Sequence, residues 1–433
     1  MKDDIIQKIE EWKTEMTRHL TKELLPFWTS CCWDGEWGGF ITQFGADGED
    51  TGVDEKSLLA HMRTIYSLSL AAQHGHDPDG ICRSLAAKGV QHALDYYWDN
   101  VHGGFYWLFD RRNRVIIDKK ILYGHSFAIY ALATYSKVFG DPRGLQYAEA
   151  CFDLLQKYGA ETVYGGYLEM FERNWQLCSP DSGGGDRKTL DVHMHLMEAF
   201  TALYACSGKD IHKRKLEEII EILMVKILHP KFRTGIPQFY RTWEVAPQIK
   251  FEVVWGWDRF TDGDSVKQNA FDNTSYGHNV EFFWLLLEAL SVLNADPQPY
   301  RGTFDAILDH ALTNGVDWQH GGVYVEGSHE GGKVYDDTKE FWQQAEFLTG
   351  MLDAYLLYND KKYLTVYENV HRFVMDKMIN HQIGEWLPLL ERDGTPVWKH
   401  MSHSWKVNYH SIRAAVLSIH RLNKVLNRIN LKS

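Results

Sequence analysis

The 433-residue chain lacks any run of about 18 consecutive apolar residues, so no segment of it reads as a membrane-spanning helix. Its opening stretch, MKDDIIQKIEEWKTEM, is acidic and helix-periodic, without the apolar core of a signal peptide. No cluster of Lys or Arg stands out, and 46 basic against 58 acidic residues leave a net charge of −12. A protein that grips nucleic-acid phosphates needs a basic patch, so that class is excluded. The six cysteines, Cys31, Cys32, Cys82, Cys151, Cys178 and Cys206, form no C-x-x-C pair. They read as reduced, buried thiols of a cytoplasmic protein. No G-x-G-x-x-G or P-loop follows a strand, and no H-E-x-x-H or Cys/His spacing is present. Neither a nucleotide cofactor nor a metal is therefore expected.

Aromatic residues, in contrast, reach 14%, with 16 Trp and 22 Tyr. They supply a large core and also flat walls on which a sugar can stack. A turn motif recurs about every 60 to 65 residues. It reads Gly38-Gly39-Phe40, Gly103-Gly104-Phe105, Gly165-Gly166-Tyr167, Gly321-Gly322-Val323 and, weakened, Gly384-Glu385-Trp386. One long gap has room for a missing copy, and Thr234-Gly235-Ile236 falls inside it. Between the turns the apolar spacing is helical, as in EKSLLAHMRTIYSLSLAA and VEFFWLLLEALSVL. Six helix pairs joined by short β-hairpins predict an all-α (α/α)6 barrel, a single domain over residues 1–433, rather than an open solenoid. The polar stretch Trp257–Asn273 is a long loop of the kind that more often serves function than idles.

Ionisable residues interrupt the apolar helices. Asp191, His195 and Glu198 share one face at i, i+4 and i+7. His278 opens a helix that Asn273, Thr274 or Ser275 can cap, and Glu281 and Trp284 follow it. Trp342 and Glu346 are i, i+4, as are Lys406 and His410, with Trp405 just before; Arg63 adds a cation in the first unit. Any one histidine of the 21 is more readily explained by packing, and His61, His125, His193, His320 and His403 stay under that reading. His195, His278 and His410 are different because all three lie near the starts of inner helices, where a closed ring would bring them together. A buried charge is costly unless paired, and each has a polar partner at helical spacing.

The segments KTLDVHMHLMEAF, SYGHNVEFFWL, FWQQAE and SWKVNYH, in that order, resemble the signature segments of the N-acylglucosamine 2-epimerase superfamily, most closely its cellobiose and mannose 2-epimerase branch. GGF, DRKTLD and ERNW fit as well, and the likeness runs from about Trp28 to His410. The resemblance implies an (α/α)6 barrel and a cofactor-free sugar epimerase or isomerase. It assigns site roles to Arg63, His195, His278, Glu281, Trp342, Glu346, Trp405 and His410. The chain departs from the cellobiose-acting pattern at Phe341-Trp342, where many relatives carry two Trp, and at Asp191, where they carry Asn. The segment from Phe239 to Ser275 is also longer, and Trp255, Trp257, Asp258 and Arg259 on it are placed to fill the room of a second glucose ring. This favours D-mannose and D-glucose as substrates, ahead of cellobiose and of mannose–fructose isomerisation.

In the expected chemistry His195, helped by Asp191 or Glu198, opens the ring, because C2–H is acidic only beside a free carbonyl. His278 and His410, oriented by Glu281 and Glu346, then serve opposite faces of C2 through a cis-enediolate. Arg63 steadies the charge on O1, and Trp342 and Trp405 stack on the sugar. A glycoside hydrolase using two of Asp191, Glu198, Glu281 and Glu346, and a non-catalytic carbohydrate or protein binder, are the rival readings. The expected partner is a small sugar, with no nucleic acid or membrane, for a monomer or homodimer.

Overall fold

The computed structural model describes residues 2–247 and 272–431. It is dominated by helices. The inner set is α3 (Leu58–Gln73), α5 (Leu122–Phe139), α7 (Leu190–Ser207), α9 (Tyr276–Leu293), α11 (Phe341–Tyr358) and α13 (Tyr409–Leu431). Each packs on the next, and α13 returns to α3, so the neighbour relations close on themselves. The outer set is α1 (Lys2–His19, continued by α2, Leu25–Cys31), α4 (Ile81–His92), α6 (Pro142–Leu154), α8 (Asp210–Ile222), α10 (Arg301–His310) and α12 (Lys361–Phe373). Each of α4, α6, α8, α10 and α12 backs the inner helix before it, whereas α1 backs α13, so the two ends of the chain build one pair.

Composition explains which helix goes where. α5 and α11 are apolar nearly all round and bury almost every side chain, the pattern of a helix with neighbours on every side. α8, DIHKRKLEEIIEI, carries charge on most of its surface and buries only His212, Leu216, Ile219 and Ile220. Its three aliphatic anchors contribute about 1.5–3 kcal/mol apiece.

Every outer helix ends in a five-residue π turn: Leu20–Leu24, Ala93–Tyr97, Leu155–Gly159, Leu223–Ile227, Ala311–Gly315 and Val374–Met378. A tight hairpin follows each of the last five, and one follows α2 in the first unit. The hairpins are closed by the pairs Trp33 with Phe40, Trp98 with Phe105, Ala160 with Tyr167, Leu228 with Gly235, Val316 with Val323, and Ile379 with Trp386. The expected sixfold repeat is thus present, with one shift of register. In the fourth unit the hairpin equivalent is Arg233-Thr234-Gly235, one residue earlier than the Thr234-Gly235-Ile236 expected, because Arg233 takes the left-handed turn (φ 60°) that glycine takes elsewhere. At Gly104 glycine is obligatory: φ is 75°, and a Cβ would lie 2.8 Å from His125 Nε2 and 2.7 Å from Trp175.

The fourth residue of an inner helix often holds its hairpin. His125 Nδ1 donates to the Ile121 carbonyl, and its Nε2 accepts the Phe105 N–H at 3.0 Å. His193, Asn279 and Gln344 accept hairpin amides in the same way. Burial lowers both His125 and His193 to about 3, so they stay neutral acceptors. Short strands sew neighbouring units together, Lys56 opposite Phe109, Lys120 opposite Phe171, Lys188 opposite Phe239 and Lys339 opposite Leu390.

An ion latch repeats beside these strands. Lys56, Lys120 and Lys339 reach Asp34, Asp99 and Asp317 at 3.0, 3.0 and 3.1 Å, and Arg111, Arg173 and Arg392 complete each trio from the next unit. Lys188, Glu161 and Arg241 form a fourth. In the remaining long gap the corresponding places hold His229, Thr274 and His329, with the two imidazoles 4.9 Å apart.

Candidate active site

α3, α5, α7, α9 and α11 each follow directly on a sewn strand, and the start of α13 joins theirs at one cavity. Ser57, Thr189 and Ser275 cap α3, α7 and α9 through their side-chain oxygens. The helix starts surround a cavity of about 220 Å³, toward which their positive dipole ends point. Its lining includes Arg63, Asp191, His195, His278, Glu281, Trp342, Trp405 and His410. Glu346 lies just beneath, bonded to His410. The residues expected from the sequence thus converge on one place.

The sixth residue of α3, α5, α7, α9 and α11 and the fifth of α13 form a tier. It reads Arg63, Phe127, His195, Glu281, Glu346 and Arg413. His195 Nδ1 meets Glu198 Oε2 at 3.0 Å, while the Tyr123 ring stands edge-on 5.2 Å away. His410 Nδ1 meets Glu346 Oε1 at 2.7 Å. In both cases an Nδ1–H donating to the carboxylate leaves Nε2 as the basic nitrogen of a cavity-lining imidazole. Burial lowers both histidines, His410 to about 3, so both rest neutral. Burial alone would raise Glu346, but Arg413 and His410 hold it below the usual carboxylate range.

His278 is placed differently. Its Nε2 lies 3.4 Å from Asp191 Oδ1, and its ring packs 4.5 Å from Trp342. Trp342 is also 6.0 Å from His410, so one indole packs against two imidazoles from different helices. This corrects one expectation: Glu281 does not orient His278. Its carboxylate turns to Arg413 Nη2 at 2.9 Å, and burial together with the Glu346 charge pushes it well above the usual range. A second correction concerns Lys406, whose ammonium meets Glu385 at 3.1 Å and not His410, because residue 406 precedes the helix. A third is His403, which lines the cavity and accepts the amides of Trp405 and Lys406.

Arg63 donates to the Trp405 carbonyl at 2.5 Å and to the Tyr123 hydroxyl at 3.0 Å, with its guanidinium over the Phe127 ring at 4.5 Å. Trp405 leans on Tyr123 at 5.4 Å. Residues 255, 257, 258 and 259, proposed from sequence as a cap, lie outside the described residues.

Sequence reasoning missed Arg413. It bonds Glu198 at 2.6 Å, Glu281 at 2.9 Å and Glu346 at 2.7 Å, and also the Tyr409 hydroxyl. Its only signal was a cation in the apolar run SIRAAV, three residues past His410. Glu281, Glu346 and His410 bring donor atoms within 4.8 Å of one another, an arrangement a cation could use. Arg413 already places a positive charge against both carboxylates. The other such group, His19, Glu23 and His381, is a hydrogen-bonded bridge. His19 Nε2 accepts the Trp386 indole N–H, so its Nδ1 proton goes to Glu23.

Paired neutral imidazoles, a fixed guanidinium and aromatic walls suit proton transfer beside a carbonyl. Comparison with known proteins agrees. The sequence profile of the N-acylglucosamine 2-epimerase (GlcNAc 2-epimerase) family matches residues 39–414. The chain is similar to a cellobiose 2-epimerase of Bacteroides fragilis, 26% identical over 93% of this chain and 97% of that one. It is also similar to a D-mannose isomerase of Marinomonas mediterranea, 23% identical over 93% of this chain and 95% of the other. Among solved structures, the cellobiose 2-epimerase of Spirochaeta thermophila superposes with a TM-score of 0.84, at 26% identity, covering 97% of this chain and 98% of that one. The chain therefore belongs to the N-acylglucosamine 2-epimerase family and is an isomerase, a carbohydrate epimerase.

Proposed function

We propose that the chain is a 2-epimerase interconverting D-mannose and D-glucose, built as a single (α/α)6-barrel domain over residues 1–433. The observation that carries the reading is the gathering of His278 and His410, each tied to a carboxylate, around the one indole of Trp342. His195 takes the O1 proton, Glu198 steadies the imidazolium that forms, and that imidazolium passes the proton to the ring oxygen as the C1–O5 bond breaks and the sugar opens. One of His278 and His410 removes the C2 proton, and the electron pair moves to O1 as a cis-enediolate beside Arg63. The other histidine, carrying a proton taken up from solvent, delivers it to the opposite face, the first histidine gives the proton it removed back to solvent, the carbonyl re-forms and the ring closes. No cofactor is consumed, because atoms and electrons balance within the sugar. Trp342 and Trp405 hold the sugar face. Asp191 and Glu281 contact its hydroxyls.

Two of the four carboxylates from which a hydrolase would draw its pair, Glu198 and Glu346, are engaged by imidazoles and Arg413, which favours the epimerase over that rival. The similarity to a cellobiose 2-epimerase supports a second reading, epimerisation of the reducing glucose of cellobiose, and the similarity to a D-mannose isomerase supports mannose–fructose isomerisation. Cytoplasmic action is in keeping with six free cysteines. Among the described residues no helix is long and apolar enough to cross a membrane.

Mannose incubated with the protein in deuterated water tests the reading. Glucose carrying deuterium at C2 is the expected product. Fructose as the main product would replace epimerisation by isomerisation. Turnover of cellobiose alone would move the substrate to the disaccharide.

A further inference from the structure

The three carboxylates on the inner tiers, Glu198, Glu281 and Glu346, come from three helices, yet they face one guanidinium. Following the contacts from one side of the cavity floor to the other gives a continuous chain. His195 Nδ1 meets Glu198 Oε2, Glu198 Oε1 accepts from Arg413 Nη1, Arg413 Nη2 donates to Glu346 Oε1, and that same oxygen meets His410 Nδ1. Tyr409 donates to Glu198 Oε1 at 2.8 Å, so no lone pair on that side is spare. Arg413 is 1% exposed and lies over the Trp284 and Tyr409 rings at 4.8 and 4.2 Å. Trp284 in turn donates to Glu346 Oε2 at 2.9 Å.

We propose that Arg413 is a positioning residue that couples the two histidines at either end of this chain, holding both partner carboxylates ionised through one shared positive charge. The proposal rests on the acid/base assignment of His195 and His410 made above. Arg413 does not line the cavity, so it acts on the sugar only through those imidazoles.

The physical argument is one of charge. A carboxylate buried without a cation takes up a proton, and a protonated partner cannot strengthen a histidine base. Arg413 is the cation that both carboxylates share. The other groups facing this network include Tyr66 and Arg63 from α3, Tyr123 and Tyr130 from α5, Asp191 from α7, Glu288 from α9, and Arg421 from α13. Removing the Arg413 charge makes protonation easier at every member of the set, His195, His410, Glu198, Glu281 and Glu346 alike. The acid limb of activity therefore moves to higher pH whichever group sets it.

The test uses the full chain with Arg413→Met, which loses the charge, and Arg413→Lys, which keeps it without the fork. In Arg413→Met the acid limb of kcat/KM for C2 exchange is expected to rise by about one pH unit, with kcat down about 100-fold and KM within about 3-fold. In Arg413→Lys the limb stays in place while kcat falls about 10-fold. A second readout needs no turnover. The downfield Nδ1–H proton resonances of His195 and His410, assigned by their loss in His195→Asn and His410→Asn, should both move in Arg413→Met. If only one moves, or neither, the coupling is overturned. Should Arg413→Met not fold, Glu198→Gln replaces it: the His410 resonance, which Glu198 does not touch, must shift, and an unmoved signal overturns the proposal. A wild-type protein that exchanges C2 of no tested sugar defeats the functional reading, while the resonances still judge the coupling.

Discussion

Two sets of buried charges sit in this molecule, and they are built on opposite plans. The latch trios Asp34–Lys56–Arg111, Asp99–Lys120–Arg173 and Asp317–Lys339–Arg392 repeat, and each surrounds one acid with two bases. The Arg413 network occurs once and surrounds one base with three acids. In the latch each Arg is partly exposed, 26–42%, and water shares the load. Arg413 and its three carboxylates are each no more than 3% exposed. Repetition marks scaffold, where the same problem of joining units is solved in the same way. A unique, acid-rich cluster against a cavity marks chemistry, since nothing in holding helices together calls for it.

The comparison can be broken most sharply at the histidines. His278→Asn and His410→Asn should each reduce C2 proton exchange by about 10³-fold with melting behaviour preserved. Retention of a tenth of the activity by either variant would remove it from the mechanism. Next in size, Asp99→Asn leaves the buried Lys120 ammonium without its carboxylate and should cost about 3–5 kcal/mol in denaturant unfolding. The pH profile of the folded variant should match wild type. A moved profile would mean that the latch also tunes the site.

Acid supplies a smaller, graded effect. Burial opposes the charge on Asp99 and Asp317, but their Arg and Lys partners hold both carboxyls far below the usual range. A depressed carboxyl stabilises the fold above the unfolded pKa of about 4 and loses that contribution as pH falls further. The contribution of these two carboxyls to thermal stability should thus stay level from neutral pH down to about 5 and drop below 4, a drop that Asp99→Asn should flatten. It comes on top of the loss that the buried neutral histidines His125 and His193 bring once the pH falls below about 6.5. The smallest change is expected from Asp191→Asn. Asp191 is 45% exposed and 3.4 Å from His278, so about a 3-fold fall in kcat is predicted, read by the same exchange assay. A hundredfold fall would make Asp191 a full partner of His278, equal to Glu346 for His410.

Much of this was legible in the sequence, for local reasons. The glycine turns announce the repeat because a left-handed backbone at Gly103-Gly104 has few alternatives. The sixth-place residues stand out because charge in an apolar helix demands a partner. What stayed hidden is who that partner is. Helical spacing found Glu198 for His195, three residues on. It could not find Asp191 for His278, since that pair crosses between helices, whereas the Glu346 expected to orient His410 from a neighbouring helix does meet it. It assigned Glu281 to the wrong neighbour for the same reason, and it could not tell inward Arg413 from any other arginine of the last helix. The fourth hairpin slipped by one residue because Arg233 adopts a conformation that sequence rules reserve for glycine.

The pairing of α1 with α13 has a consequence for how the protein is made. Ile9, Trp12, Met16 and Leu20 form an apolar stripe that is fully covered only when a helix some four hundred residues later arrives. Glu15 waits for His371, and Trp28 waits for Glu385. As the chain leaves the ribosome, the first helix emerges early and its seat emerges last, so ring closure is a late event of high contact order. A nascent chain stalled before α13 would carry that stripe uncovered, and chaperone capture and aggregation should centre on this seam.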